Sequence, residues 1–279
     1  MRKILRHSSW SELLGGYVKN PLKSRLFKKV LVPIVHGCEQ TSAITAARSI
    51  AGEDHIVLMG LVYIPEEESL SSAAVYVQEV RQTLKGLSDV NHVHRWTEVY
   101  ATHQPWDEIV KVTEKEKPDL LILEYPCQFE SLKITPTEVL THPPCDIAIV
   151  NSHISDDLHS ALIPIRGGPY AELALRTALA IKRFRKIEVA SLHMVPTDPA
   201  IAQDAAFRGI EHVLKNLPEV KKQSVATDNP AEMIFESSRQ FDLIVMGASA
   251  RPADEVTSIG PLAERIMRES QCGVIVVKT

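Results

Sequence analysis

Two stretches of this chain place glycine where a backbone could hold an anion. Arg166-Gly167-Gly168-Pro169 follows one apolar run, and Gly247-Ala248-Ser249-Ala250-Arg251 follows another, with Gly260-Pro261 further on. Glycine tolerates positive φ and lets backbone amides approach a ligand, while a helix start supplies partial positive charge. Those are the parts of a phosphate cradle. The same glycines would equally serve tight turns between a strand and a helix. Neither loop continues into Gly-Lys-Ser/Thr and neither reads G-x-G-x-x-G, so neither is a Walker A or a dinucleotide-binding loop.

Other chemistry is thinner. Residues 92–100 alternate like a strand, which puts His92 and His94 on one side at a spacing suited to a metal ligand pair. No carboxylate or cysteine nearby completes such a site, and no metal is expected. The four cysteines lie far apart without a C-x-x-C pair, so the expectation is reduced thiols in a cytosolic protein rather than a disulfide frame or zinc site. Cys145 and Cys272 each precede an apolar run and read as small buried hydrophobes. Ser249 has no paired His–Asp arrangement, so a hydrolase triad lacks support. Trp96 and Trp106 are expected to pack in the core or between domains. No catalytic residue is assigned, and the chain is not expected to be an enzyme.

The elements that would position these residues occur twice. Lys29-Val30-Leu31-Val32-Pro33-Ile34 returns as Ser160-Ala161-Leu162-Ile163-Pro164-Ile165, and Pro118-Asp119-Leu120-Leu121-Ile122-Leu123 returns as Phe241-Asp242-Leu243-Ile244-Val245-Met246. Each copy closes on a cysteine and an apolar strand, Cys145 before Asp146–Val150 and Cys272 before Gly273–Val277. A period of roughly 120 residues is a whole domain rather than a solenoid unit. Within each copy, short apolar runs alternate with helix-spaced segments, which implies right-handed crossovers and a parallel sheet covered on both faces. Strands are expected near 30–34, 56–64, 92–100, 120–123 and 147–150, then near 161–165, 187–195, 221–226, 242–246 and 273–278. Helices are expected near 41–51, 73–87, 106–116 and 137–141, then near 170–184, 203–216, 230–239 and 260–269. The fold class is therefore α/β, with two doubly wound five-stranded parallel-sheet domains spanning 29–151 and 159–279. The linker 151–159 is polar and carries Asp156-Asp157, which suits an exposed boundary.

The 279 residues suffice for two cores, and the net charge of −4 gives no pull toward nucleic acid. No apolar run reaches the ~18 residues that span a bilayer, and no secretory h-region opens the chain, so a cytoplasmic location is expected. Residues 1–28 stand apart. They carry Arg2, Lys3, Arg6, Lys19, Lys23, Arg25 and Lys28 against the single acid Glu12. Trp10, Leu13, Leu14, Tyr17 and Val18 fall on one helical face, so this basic amphipathic segment would pack on the first domain or contact an anionic membrane or partner.

In these landmarks the chain resembles the universal stress protein family, over two copies from about residue 28. Members open with a strand of the type I-L-V-P-V-D-G-S, carry D-L-I-V-M-G, and end with A-P-C-P-V-L-V-V. Asp242-Leu243-Ile244-Val245-Met246-Gly247 matches the second element residue for residue, and Ala263-Glu264-Arg265-Ile266 with Cys272–Val277 matches the closing helix and strand. The resemblance implies an adenine nucleotide-binding-like fold, homodimerisation or its intrachain equivalent through the last strands, and no established catalytic chemistry. It makes Arg166, Gly167, Gly168, Met194, Gly247, Ser249, Arg251 and Gly260 the candidate cleft residues for ATP or AMP in copy two.

The departures from the family pattern weaken that cleft. Nucleotide-binding members end the first strand in an Asp, where this chain has Val35 or His36 in copy one and Arg166 in copy two. Their G-x-x-G and later Gly-Ser/Thr become Gly247 with Ala250 and Gly260 with Pro261. Proline lacks both an N–H and a hydroxyl, and each lost donor to a charged oxygen should cost ~1.5–3 kcal/mol. Arg166 and Arg251 could restore some charge. Copy one has Glu124-Tyr125-Pro126-Cys127 at this point, with no glycine and a carboxylate that would repel phosphate. The expected function is a non-catalytic regulatory or stress-response protein with nucleotide binding weak or absent. The alternatives are a cytoplasmic module of a membrane transporter, with residues 1–28 as connector, and an adenine nucleotide hydrolase, which would need an intact phosphate loop.

Overall fold

The computed structural model describes residues 26–93, 95–165, 170–198, 214–215, 217–248 and 259–279. In copy one the strands are β1 (Val30–Val35), β2 (Ile56–Tyr63), β3 (Trp96–Thr102), β4 (Leu120–Glu124) and β5 (Asp146–Val150). Between them lie α1 (Thr41–Ala51), α2 (Ala74–Asn91), α3 (Pro105–Glu116), α4 (Cys127–Leu132) and α5 (Pro136–Thr141). Copy two supplies β6 (Ser160–Ile165), α6 (Ala171–Arg185), β7 (Glu188–Val195), β8 (Val220–Ala226), α7 (Pro230–Ser238), β9 (Leu243–Gly247), α8 (Pro261–Glu269) and β10 (Gly273–Lys278).

Among the described residues these strands form a single ten-stranded sheet in the order β3-β2-β1-β4-β5-β10-β9-β6-β7-β8. Each half is parallel and doubly wound, and the halves meet where β5 and β10 run antiparallel, with Val150 opposite Ile275 and Ile147 opposite Lys278. The last strands thus pair across a pseudo-twofold inside one chain. The inner strands β1 and β4 are buried along their whole length, as unbroken apolar runs demand when helices cover both faces.

The repeated Pro/Phe-Asp-Leu motif has a structural cause. Asp119 Oδ2 accepts hydrogen bonds from the backbone N–H groups of Lys28 and Lys29 at 2.6 and 3.0 Å. Asp242 Oδ2 does the same for His159 and Ser160, both at 2.9 Å. Each Asp opens the fourth strand of its copy and pins the entry of the first. Burial alone would raise the Asp242 pKa, but the bonds from His159 and Ser160 hold it below the usual range.

The two halves share their cores. On one face Ala43, Ala46 and Ile50 of α1 pack in the same apolar cluster as Leu173, Ala178 and Ile181 of α6. On the other, Leu31, Leu121 and Ile147 join Ile244, Val274 and Ile266. Residues 151–159 are mostly exposed, as their polarity suggested, and are also fastened to both halves. Asp156 bridges Arg48 of α1 and Arg185 of α6, at 3.4 and 2.6 Å, while Ile154 and Leu158 are buried. Arg176 of α6 lies 4.2 Å from the Phe27 ring centroid, donates to the Leu26 carbonyl and pairs with Asp146.

Several local expectations need correction. β3 begins at Trp96, because α2 continues to Asn91 and His92 is its left-handed cap at φ 55°. His92 is therefore not on a strand beside His94, which lies outside the described residues. Trp96 is 47 % exposed on an edge strand, whereas Trp106 is buried. The four cysteines are not all thiols, since Cys38 and Cys127 form a disulfide with Cα atoms 5.9 Å apart. A sequence separation of 89 residues conceals this neighbourhood. Nearly all of the N-terminal basic segment, and most of the helix expected near 203–216, lie outside the described residues. Among the described residues no helix is long and apolar enough to cross a membrane.

Asn151, 3 % exposed, stitches the seam. Its side chain accepts from Val274 N–H at 2.8 Å and donates to the Cys272 carbonyl at 3.1 Å. Asn151→Ala strands both groups, at about 1–3 kcal/mol each. Urea denaturation should show a loss of roughly 2–4 kcal/mol, and a loss below about 0.5 kcal/mol would show that the seam is not held there.

Candidate functional site

In an open parallel sheet, ligands gather at the carboxyl ends of strands where the crossovers diverge to opposite faces. Each half has that point between its first and fourth strands, β1 with β4 and β6 with β9. The two fourth strands end differently, on Glu124 and on Gly247. That one position divides the chemistry of the halves.

In copy two, Gly247 closes β9 beneath the start of α6. A Cβ built on it would lie 2.8 Å from the Tyr170 Cβ and 3.1 Å from that residue's backbone C and O. The close approach of Tyr170 thus requires glycine here, independently of any ligand. Lys278 brings its Nζ within 6.0 Å of the Tyr170 ring centroid, and burial lowers its pKa. Gly260, at φ 91°, precedes α8, whose first residue is Pro261. Among the described residues no side chain caps that helix. Met194 is 2 % exposed and packs in the apolar cluster with Met246, Ala248 and Ile259. Of the predicted cleft residues, Met194, Gly247 and Gly260 are described. Arg166, Gly167, Gly168, Ser249 and Arg251 lie outside the described residues.

Copy one has the opposite arrangement. Glu124 is 4 % exposed, and its Oε2 accepts from the Ala43 amide at the start of α1 at 2.9 Å. Its own N–H donates to Gln128 Oε1 at 2.7 Å, and Gln128 Nε2 donates to the Pro33 carbonyl at 2.6 Å. A fully buried amide therefore ties β4 to β1 while the carboxylate caps α1 from within. Burial raises the Glu124 pKa to about 7, against the lowering pull of the Ala43 and Ser42 amides. A carboxyl group built into the chain sits where an anionic ligand would otherwise meet helix amides.

Beside it, the Cys38–Cys127 bond joins the β1–α1 loop to the first residue of α4. Cys38 also borders a cleft of ≈ 410 Å³ with His36 and Glu79. His36 Nε2 lies 2.7 Å from Glu79 Oε2, and its ring centroid lies 4.5 Å from that of Tyr76. Cys145 and Cys272 remain free thiols, and burial pushes them up to about 12 and about 11. They stay protonated near neutral pH, in keeping with a packing role. Sequence reasoning noticed Glu124 as a repelling charge but not its bond to Ala43, nor Gln128 four residues on. Among the described residues no three His, Cys, Asp or Glu side chains gather as a metal site.

Fold and strand ends together define an α/β protein of the nucleotide-binding-like type, with two copies closed on each other through their last strands. Residues 158–278 match the family model described as the universal stress protein family. It is 29 % identical over 152 residues to a universal stress protein of Methanocaldococcus jannaschii, an overlap covering 47 % of this chain and 89 % of that protein. The fold of a universal stress protein from Archaeoglobus fulgidus DSM 4304 superposes with a TM-score of 0.59 at 18 % identity, covering 89 % of this chain and 98 % of that one. The cytoplasmic domain of a prokaryotic cation chloride cotransporter superposes with a TM-score of 0.55 at 16 % identity, covering 89 % and 94 %.

The raised Glu124 pKa fixes a pH dependence. A folded pKa of about 7 against 4.5 favours the protonated native state, so this contribution is complete below pH 4.5 and is lost as pH rises through about 7. Across that window the wild type should lose up to roughly 3 kcal/mol relative to Glu124→Gln. Denaturation midpoints of both proteins measured at several pH values test this. Parallel pH profiles would contradict it.

Proposed function

We propose that this chain is a non-catalytic regulatory protein of the stress-response type, in which adenine nucleotide binding is weak or absent and confined to copy two. The observation that carries this reading is Glu124, whose buried carboxylate takes the α1 amide that a bound anion would need. In copy two the supporting observations are Tyr170 packed on Gly247 and Pro261 at the first position of α8. Proline there supports the helix while offering no N–H to a phosphate. An adenine nucleotide hydrolase would need the intact loop that these positions lack. The absence of ATP turnover with magnesium or manganese is the result expected of this chain.

Thermal unfolding with ATP or AMP tests the reading. A nucleotide at 100 times its Kd would add ~2.7 kcal/mol, or a Tm increase of roughly 5–10 °C for a chain of this size. Millimolar nucleotide is expected to move Tm by less than about 2 °C. A shift of the larger size, or stoichiometric nucleotide carried through purification, would overturn it.

A second reading, a cytoplasmic module working beside a membrane transporter, draws on the fold shared with the cotransporter domain and on the basic residues 1–28. Vesicles containing anionic lipid should then co-sediment the full chain more than a chain lacking residues 1–28, and less so at high salt. Equal sedimentation of the two would remove this reading.

A further inference from the structure

The disulfide and the Glu124–Ala43 hydrogen bond tie together the same two segments. Cys38 and Ala43 belong to the β1–α1 connection and the start of α1, while Glu124 and Cys127 belong to the end of β4 and the start of α4. One tie is covalent and the other polar, and both sit at the carboxyl end of the copy-one sheet. We propose that Cys38 and Cys127 are a reversible redox site at the rim of the copy-one cleft, exchanging with low-molecular-weight thiols and disulfides and setting whether the β1–α1 loop is fixed or free.

Three observations carry this. Both cysteines are half-buried at the sheet end, and Cys38, although it packs against one apolar cluster, also lines the copy-one cleft, so a small thiol can reach the bond from there. The loop that the bond holds is short, and its remaining ties are hydrogen bonds, from the His36 amide to the Leu61 carbonyl and from the Cys38 amide to the Val35 carbonyl. Gly37 turns at φ 73°, and Gln40 Nε2 donates to the Val35 carbonyl at 3.0 Å. The remaining thiols, Cys145 and Cys272, are displaced to the far end of their strands and do not compete for either partner. A disulfide that thiols can reach is more labile than one that is fully shielded.

A reductant thiolate attacks one sulfur of the Cys38–Cys127 bond, forming a mixed disulfide and expelling the other cysteine as thiolate. A second reductant thiolate attacks the mixed disulfide and expels the remaining cysteine. Two electrons pass from two reductant thiolates, which leave as one disulfide, and solvent protonates the two protein thiolates. Oxidation runs the same steps backwards with a low-molecular-weight disulfide as oxidant.

The test equilibrates the full chain in reduced and oxidised glutathione at graded ratios, alkylates it without denaturant, and maps the labels by mass spectrometry. Hydrogen exchange is read on the same samples. Cys38 and Cys127 should gain label together as the buffer becomes reducing, while Cys145 and Cys272 stay unlabelled. Exchange over residues 36–43 should rise about tenfold or more on reduction, residues 273–278 should not change, and reoxidation should reverse both effects. Cys38→Ser should show the fast exchange even in oxidising buffer, and the reduced wild type gives the same readout if that variant folds poorly. The proposal fails if both cysteines label at every ratio, if the bond survives excess reduced dithiothreitol until denaturant is added, or if reduction leaves exchange over 36–43 unchanged.

Discussion

The antiparallel pairing of β5 with β10 is the interaction on which the rest of the structure depends. Without it each half would end its sheet on an apolar edge, with Ile147 to Val150 on one side and Val274 to Val277 on the other presenting unpaired backbone groups. Such edges invite association with other chains. Here each covers the other, and α1 and α6 are brought together over the seam, so that burial in one half depends on the other. Asn151, Asp156 and Arg176 add polar bonds at the crossing rather than at the periphery. Of the two strands that remain at the edges, β8 is charged, with Lys221 and Lys222 exposed.

Because the seam fixes the two sheets rigidly, the ends of their strands are free to diverge. Asp119 and Asp242 perform the same service at equivalent positions, so the strand entries have stayed alike. The exits have not. In copy one a carboxylate, a buried amide and a disulfide knit the exit closed, and the cost of burying Glu124 is only partly offset by the amides that it caps. In copy two glycine at the same position admits Tyr170. A helix start that receives its anion from within the chain has little to offer a free phosphate, and this is the physical basis for reading the fold as a scaffold.

Much of the fold was legible in the sequence because its signals are local. Pro105, Pro136, Pro230 and Pro261 each stand at the first turn of a helix, where a missing N–H is harmless. The unbroken apolar runs at Leu120 and Leu243 announced strands covered on both faces. The pairing of the last strands was anticipated by the family resemblance rather than by the residues themselves. The candidate site was less legible because its contacts are not local. Cys38 meets Cys127 only once β1 and β4 are neighbours, and Glu124 reaches Ala43 by the same route. The alternation from His92 onward imitated a strand, yet α2 continues to Asn91 and the pairing of Trp96 with Leu58 sets where β3 begins. Trp96, a core candidate by type, is exposed because it falls on the outermost strand.

If the last strands hold the molecule together, the two halves unfold as one cooperative body. Native-state hydrogen exchange tests it most directly, by comparing the opening free energies of residues 147–150 and 275–278 as denaturant is raised. Both segments should be among the slowest to exchange and should converge on one global unfolding transition. Exchange of one segment through a separate, lower-energy opening while the other stays protected would contradict it.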